Sequence, residues 1–292
     1  DAREITLSLG GKWYRTYGAA PCPICQSERE KAQNALTIAD GRNGGPVLDC
    51  KKSACAFSDL LAAAGITVGS YKSPDSETLA KREAEQRKEA KKHAAQAKAV
   101  WNEALPIAGT LAEAYLRGRG ITCQLPKSLR FHPNCWHGLT AKRYPAMVAA
   151  VQGNQLAAVH RTYLKTDGSG KADIEPSKMM LGATKRAAVR LSECRKHLVV
   201  AEGIETALSL SSGLLSAPAG VWAALSTSGM RGLALPPVAG HLTIASDGEQ
   251  AGREAANALA ARANDLGWQV TLLPAPDGLD WNDVLMMKGE TV

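Results

Sequence analysis

Three acidic clusters lie toward the C-terminal end of the 292-residue chain: Glu202-Gly-Ile-Glu205, Asp247-Gly-Glu249-Gln-Ala-Gly252 and Asp280-Trp-Asn-Asp283. Each follows an apolar run that reads as a buried strand: Leu198 to Ala201, Leu242 to Ala245, and Val270 to Leu273. The first two clusters sit on the strand ends, and the third follows a short Pro/Gly loop. Parallel α/β sheets take their ligands outside the carboxyl ends of the strands. Carboxylates delivered there can converge on Mg²⁺ ions that keep some water and bind phosphate oxygens. Metal-dependent chemistry on phosphates is therefore expected. The competing reading makes these acids helix N-terminal residues favoured by the macrodipole. One acid alone does not choose, whereas three clusters behind three strands favour a site.

A second constellation stands near the other end. Cys22-Pro-Ile-Cys25 is followed by Cys50-Lys-Lys-Ser-Ala-Cys55. Two close cysteine pairs at this separation read as a tetrahedral zinc site. Between them, Ala35 to Ala39, the Gly/Asn-rich stretch Asp40 to Gly45 and Pro46 to Asp49 form a strand, turn and returning strand. That hairpin would bring the second pair beside the first, as in a zinc ribbon. No signal peptide or spanning apolar segment shows, so a reducing cytoplasm is expected and disulfides are disfavoured. Cys123, Cys135 and Cys194 lack paired spacing and read as free thiols, although Cys135 between His132 and His137 leaves a second metal site open.

The elements that position these groups fall into four stretches: a β zinc ribbon over 1–70, a charged helical linker over 71–106, an α+β basic subdomain over 107–197 and an α/β domain over 198–292. The linker run from Ser76 to Ala104 favours helix and carries i,i+4 pairs such as Glu77 with Lys81 and Glu83 with Arg87. It reads as a solvated spacer. The third stretch shows a helix at Thr110 to Arg117 and strands near Leu129 to His132, Ala146 to Val151, Gln155 to Tyr163 and Ala188 to Leu191. The last alternates strand and helix around a mostly parallel sheet, with Ala251 to Leu266 its strongest helix. The net charge of +7 is uneven: from Leu198 onward ten acids face four Lys and Arg, a balance of −6, leaving +13 on residues 1–197. A basic front and an acidic back suit a protein holding a polyanion on one part and metal ions on another.

The acidic pattern resembles the Toprim domain of DnaG-type primases, topoisomerases and some nucleases. Glu202 matches the family's Glu, Asp247 with Glu249 matches its Asp-x-Asp pair, and Asp280 resembles a further acid found in primases. Glu249 departs from the family, which usually has Asp there. With the zinc ribbon in front, the order resembles DnaG-type primases, particularly the compact versions of phages and plasmids and hence of mobile elements. Tyr115-Leu-Arg-Gly-Arg-Gly-Ile121 looks like the family's Tyr-Leu-x-x-Arg-Gly-Ile segment. Val159-His-Arg161-Thr-Tyr-Leu164 resembles the strand carrying a basic residue. Lys178-Met-Met-Leu181 resembles Pro-Lys-Tyr-Leu, with Ser177 in the Pro position.

The resemblance implies a DNA primase that makes short RNA primers on single-stranded DNA by metal-dependent nucleotidyl transfer in DNA replication. Its partners would be the DNA template, nucleoside triphosphates and a separate replicative helicase, with no membrane. Cys22, Cys25, Cys50 and Cys55 would hold structural Zn²⁺. Asp247, Glu249 and Asp280 would hold catalytic Mg²⁺ or Mn²⁺. Glu202 would meet the metal directly or through water, while Glu205 and Asp283 would support or cap. Arg117, Arg119, Arg161, Lys165, Lys178 and Lys185 would bind template and nucleotide, Arg161 and Lys178 foremost. Trp13, Tyr14 and Tyr17 could stack bases or fill the ribbon's core. A Toprim nuclease and a non-catalytic DNA-binding replication or initiator protein are the alternatives. Gly168-Ser-Gly170-Lys171 lacks the P-loop spacing.

Overall fold

The computed structural model describes residues 1–14, 16–26, 34–41, 45–66, 71–72, 74–193 and 196–289. Cys194 and part of the expected turn between Asp40 and Gly45 lie outside them. The chain divides into two compact units, residues 1–89 and 90–292.

In the first unit, helix α1 (Ala2–Ser8) precedes strands β1 (Lys12–Trp13), β2 (Tyr17–Ala20), β3 (Leu36–Asp40) and β4 (Pro46–Cys50), then helix α2 (Phe57–Ala63). The strands form one antiparallel sheet in chain order. The expected hairpin is β3 with β4, and its register sets Leu36 opposite Cys50. Leu36, Ile38, Leu48 and Leu60 bury a small core around Cys22 and Cys50. Helix α1, which carries no strong sequence signal, lies directly on β2. A Cβ on Gly18 would meet the buried Thr6 side chain at 1.9 Å, so only glycine permits that approach. Asp40 anchors the sheet end by accepting from Ala2 N at 2.9 Å, from Tyr71 and from Arg82 at 2.9 Å.

Helix α3 (Ser76–Glu103) matches the expected charged run, with Glu77–Lys81 at 2.7 Å and Glu83–Arg87 at 3.4 Å. Both pairs are solvent-exposed, and such pairs contribute about 0.3–0.5 kcal/mol each.

The last part of α3 belongs to the second unit and is not the solvated spacer expected from its composition. Ala97 packs with Ala104 on Val148 and Val159, and Arg130 stacks on Trp101 at 4.3 Å. The small side chains let the helix sit close to a sheet. That sheet is antiparallel and runs β5 (Leu105–Pro106), β6 (Leu129–His137), β7 (Lys142–Val151), β8 (Ala158–Tyr163) and β9 (Lys178–Gly182) in order, with helix α4 (Leu111–Gly118) after β5.

The second sheet of this unit has the order β10-β12-β11-β13-β14, comprising β10 (Val189–Arg190), β11 (His197–Ala201), β12 (Gly220–Ala223), β13 (His241–Ser246) and β14 (Gln269–Pro274). The last four are parallel. Strand β10, read from the sequence as part of the preceding block, pairs antiparallel with β12 and so joins this sheet. Helices α5 (Ile204–Ser209), α6 (Thr227–Gly232), α7 (Gln250–Asp265) and α8 (Trp281–Gly289) accompany it. Alternation along β11 divides the core: Leu198 and Val200 face α6 and α7, whereas Val199 and Ala201 face the antiparallel sheet and α5. Among the described residues, no helix is long and apolar enough to cross a membrane.

Candidate functional site

The two cysteine pairs meet. Cys22 Sγ lies 3.9 Å from Cys55 Sγ, Cys25 Sγ lies 3.5 Å from Cys50 Sγ, and all four sulfurs lie within 4.8 Å of one another. A tetrahedral Zn²⁺ with bonds of about 2.3 Å requires sulfur separations of about 3.8 Å, so the residues fit the metal. A disulfide would need about 2.05 Å. Gln26 holds the first pair in place, its Oε1 accepting from Cys22 N at 2.9 Å and Ala35 N at 3.0 Å. Burial pushes the Cys50 thiol up, but backbone N–H groups of Ser53, Cys55 and Lys52 outweigh it and hold the thiol down to about 6. Beside this centre, Trp13 packs on the core, whereas Tyr14 and Tyr17 are exposed and stack on each other at 5.3 Å. Among the described residues, no second cluster forms around Cys135. His132 turns to Glu103 at 3.2 Å, and His137 bonds Thr140 and the Pro176 carbonyl.

In the second unit, the parallel register sets Ala201 opposite Ala245 and Ser246 opposite Pro274, which places the following residues at one edge of the sheet. Glu202 leaves β11, and Asp247 leaves β13. The loop after β14 is drawn back to Asp247 by close backbone contact: Gly248 N donates to Leu279 O at 2.8 Å. A Cβ on Gly248 would meet Pro276 O at 1.9 Å, so the glycine is needed for loop apposition more than for the turn. Leu225 follows β12 with φ of 73° and donates its N–H to the Glu202 carbonyl at 2.7 Å, a left-handed conformation beside the same cluster.

The carboxylates feel one another. Burial, and then the charges of Glu202, Asp280 and Glu249, push Asp247 up to about 7, while Lys178 pulls the other way. Glu202 is raised by burial and by Glu249, against a backbone N–H from Thr227 and the charge of Lys178. Asp247 Oδ1 is buried with no hydrogen-bond partner. A buried, unpartnered carboxylate oxygen among like charges calls for a cation, and hard oxygen ligands suit Mg²⁺ or Mn²⁺. These carboxylate oxygens are less tightly gathered than the sulfurs. Among the described residues, only the four cysteines form a cluster with all ligand atoms within 4.8 Å.

The remaining acids divide by use. Asp280 Oδ1 caps α8, accepting from Asn282 N at 2.7 Å and Asp283 N at 2.9 Å, and Asp283 accepts from Asp280 N at 2.9 Å. Asp280 is thus half cap, and Asp283 is a cap. Glu249 is exposed at the start of α7 without capping it. Glu205 is buried, bonded to Tyr115 Oη at 2.9 Å and Lys178 Nζ at 3.0 Å. Burial raises its carboxyl, but Lys178 and Lys171 overcome this and hold it at about 2.

The expected basic residues are not all at this edge. Lys178 is, and Arg119 lies over Tyr115 at 5.9 Å. Arg161 is not. Across β7 and β8 it registers with Val148, the residue that packs on α3, so it lies on the face away from α5. It is 6 % exposed and donates to Trp136 O at 3.2 Å. Arg117 is likewise committed, donating to Ile121 O, Cys123 O and Glu113 to fix the turn after α4. Lys165 pairs with Asp173 at 3.3 Å, and Lys185 is exposed in a cavity of about 400 Å³ shared with Arg186, Leu225 and Ser226.

Three residues escaped the sequence reading. His160, one position from Arg161, shares the face of Lys178; burial drives its imidazole down to about 4. Lys171, from the dismissed glycine-rich stretch, acts electrostatically on Glu205 and Lys178. Asn282, buried, ties α8 to Arg119 O at 2.8 Å and Ser209 Oγ at 2.9 Å. The Gly-Lys pair offered a weak signal for Lys171; His160 and Asn282 offered none.

The Toprim domain family model matches residues 197–291, and a model described as a domain of unknown function (DUF7146) matches residues 91–191. No curated protein matches the chain. Among solved structures, the Aquifex aeolicus primase (zinc binding and RNA polymerase domains) is 14 % identical, with a TM-score of 0.42 over 99 % of this chain and 80 % of that one. A DNA primase domain from Pseudomonas aeruginosa is 19 % identical, with a TM-score of 0.40 over 67 % of this chain and 75 % of that one. The RNA polymerase domain of Mycobacterium tuberculosis primase DnaG is 16 % identical, with a TM-score of 0.41 over 68 % and 79 %. These likenesses are too distant to transfer residue roles. Residues 197–291 of this chain match the Toprim domain model, and within them Glu202 and Asp247 follow strands β11 and β13 while Glu249 and Asp280 precede helices α7 and α8.

Proposed function

We propose that the protein is a DNA primase, joining ribonucleotides on a single-stranded DNA template. The observation that carries this reading is the carboxylate edge of the segment that matches the Toprim model, with the buried, unpartnered Oδ1 of Asp247 among three further acids. The four-cysteine centre and the basic balance of residues 1–197 support a nucleic-acid template as partner. In the reaction, the 3′-hydroxyl of one nucleotide attacks the α-phosphate of the next, and pyrophosphate leaves. Asp247, Glu249 and Asp280 would hold Mg²⁺ or Mn²⁺, which when bound supplies charge neutralisation at the phosphates. Asp280 offers Oδ2 for this, because Oδ1 caps α8. Glu202, its carboxyl raised by burial, is placed to take the hydroxyl proton. Lys178, whose charge acts on Glu202 and Asp247, would meet the triphosphate, with Arg119 and Lys185 as further basic candidates. The cysteine unit, with exposed Tyr14 and Tyr17, presents the template.

The test is primer synthesis on a single-stranded DNA library with labelled nucleotides and Mg²⁺ or Mn²⁺, Asp247→Ala beside the wild type. Short RNA from the wild type alone is expected. DNA cleavage without synthesis would indicate a Toprim nuclease, and binding alone a non-catalytic replication or initiator protein, a helicase having been supplied in each case.

A further inference from the structure

We infer that Glu205 is a positioning residue, holding the Lys178 ammonium in place for a nucleoside triphosphate with the help of Tyr115. The inference rests on the nucleotide-handling site proposed above. Its geometry is specific. Glu205 is 3 % exposed, and its two oxygens take one donor each, Tyr115 Oη at 2.9 Å and Lys178 Nζ at 3.0 Å. The three groups come from α5, α4 and β9, so the contact is set by tertiary packing.

Stability alone does not account for an acid here. Ile204, Ala207 and Leu208 of α5 are buried apolar residues, and an apolar residue at 205 would suit the same core. Replacing a buried ion pair by apolar groups is commonly neutral or stabilising, so retaining Glu205 points to a role for its charge. Lys178 is the other half of the pair, and its side chain is 36 % exposed. It registers opposite Thr162, on the face of β9 turned to α5, and it acts electrostatically on Glu202 and Asp247.

A free lysine has a long flexible stem and would collapse onto the nearest carboxylates. There it would compete with a metal ion for Asp247 and Glu202. Bound to Glu205, its ammonium is held in one place, and its remaining N–H donors can meet a phosphate. Glu205 therefore acts through Lys178 and touches no substrate.

The experiment is a double-mutant cycle read as equilibrium affinity for a nucleoside triphosphate with Mg²⁺, using wild type, Glu205→Gln, Lys178→Ala and the double variant. Lys178→Ala is expected to weaken binding about tenfold and Glu205→Gln about fivefold, with the double variant within about twofold of Lys178→Ala, because coupled groups are not additive. A purely structural Glu205 would weaken binding equally in both backgrounds, which would overturn the inference. So would Glu205→Gln binding as wild type does, or a wild type that binds no nucleotide. If Glu205→Gln fails to fold, Tyr115→Phe replaces it; this variant keeps the ion pair, is expected to lose about two- to threefold, and should likewise lose nothing further once Lys178 is gone. Because binding is read apart from synthesis, the expected cycle in a protein that makes no primer would sink the primase reading and leave this one standing.

Discussion

At the scale of single residues, identity and environment decide different things. Asp247 is an ordinary carboxylic acid made unusual by burial and by three neighbouring acids. Its pKa rises from 3.8 in the unfolded chain to about 7 in the metal-free fold, so the fold binds the proton more tightly. Stability from this group is full below pH 4 and is lost as pH rises to about 7. Thermal melts of the wild type should therefore fall behind those of Asp247→Asn across that window, and added Mg²⁺ should close the gap. Coincident curves at every pH would contradict it. Arg161 teaches the converse. Its donors face the core and not the carboxylates, so Arg161→Ala should cost about 1–3 kcal/mol of stability. Nucleotide affinity should stay within about twofold, whereas Lys178→Ala should lose affinity without comparable unfolding. Parallel melting and binding measurements on the two variants separate these roles.

At the scale of elements, two loops hold the chemistry. The Gly248 backbone locks the Asp247 turn to the loop carrying Asp280. Gly248→Ala forces Pro276 away by about 1 Å or more, and a misplacement of that size costs about a hundredfold in rate. Zinc content should be unchanged, so activity lost together with zinc would point to general unfolding. In the first unit, the cysteine knuckles close β2 and β4 onto one centre with little apolar core behind it. Small units of this kind draw folding energy from the metal. Cys22→Ala or Cys50→Ala should release Zn²⁺ and cut template-dependent initiation. Native protein purified without chelators and found free of zinc would refute the assignment. Much of this layer was readable beforehand. The cysteine spacing, the β3–β4 hairpin, the strands ending at Ala201 and before Asp247, and the long helix α7 all follow from local pattern. Strand β10 was misplaced because two residues carry no signal of which sheet they join.

At the scale of the whole molecule, charge is the legible property. The surplus of +13 ahead of Leu198 against −6 behind it predicts nucleic-acid binding dominated by phosphate contacts. Affinity for single-stranded DNA should therefore fall steeply with salt, about 0.7 log units per log unit of salt for each phosphate contacted. A flat salt dependence would exclude the basic surface as the template's seat. Spacing and strand-end position, all local along the chain, were enough to find the four thiols that meet and the strands that Glu202 and Asp247 follow. Which basic residues face those acids was not. Along a strand, one step in sequence reverses the direction of a side chain, so His160 and Arg161 can be assigned only once β7, β8 and β9 are in register. The Glu205–Lys178–Tyr115 contact likewise joins residues far apart in the chain, and no local periodicity encodes a distance between separate elements.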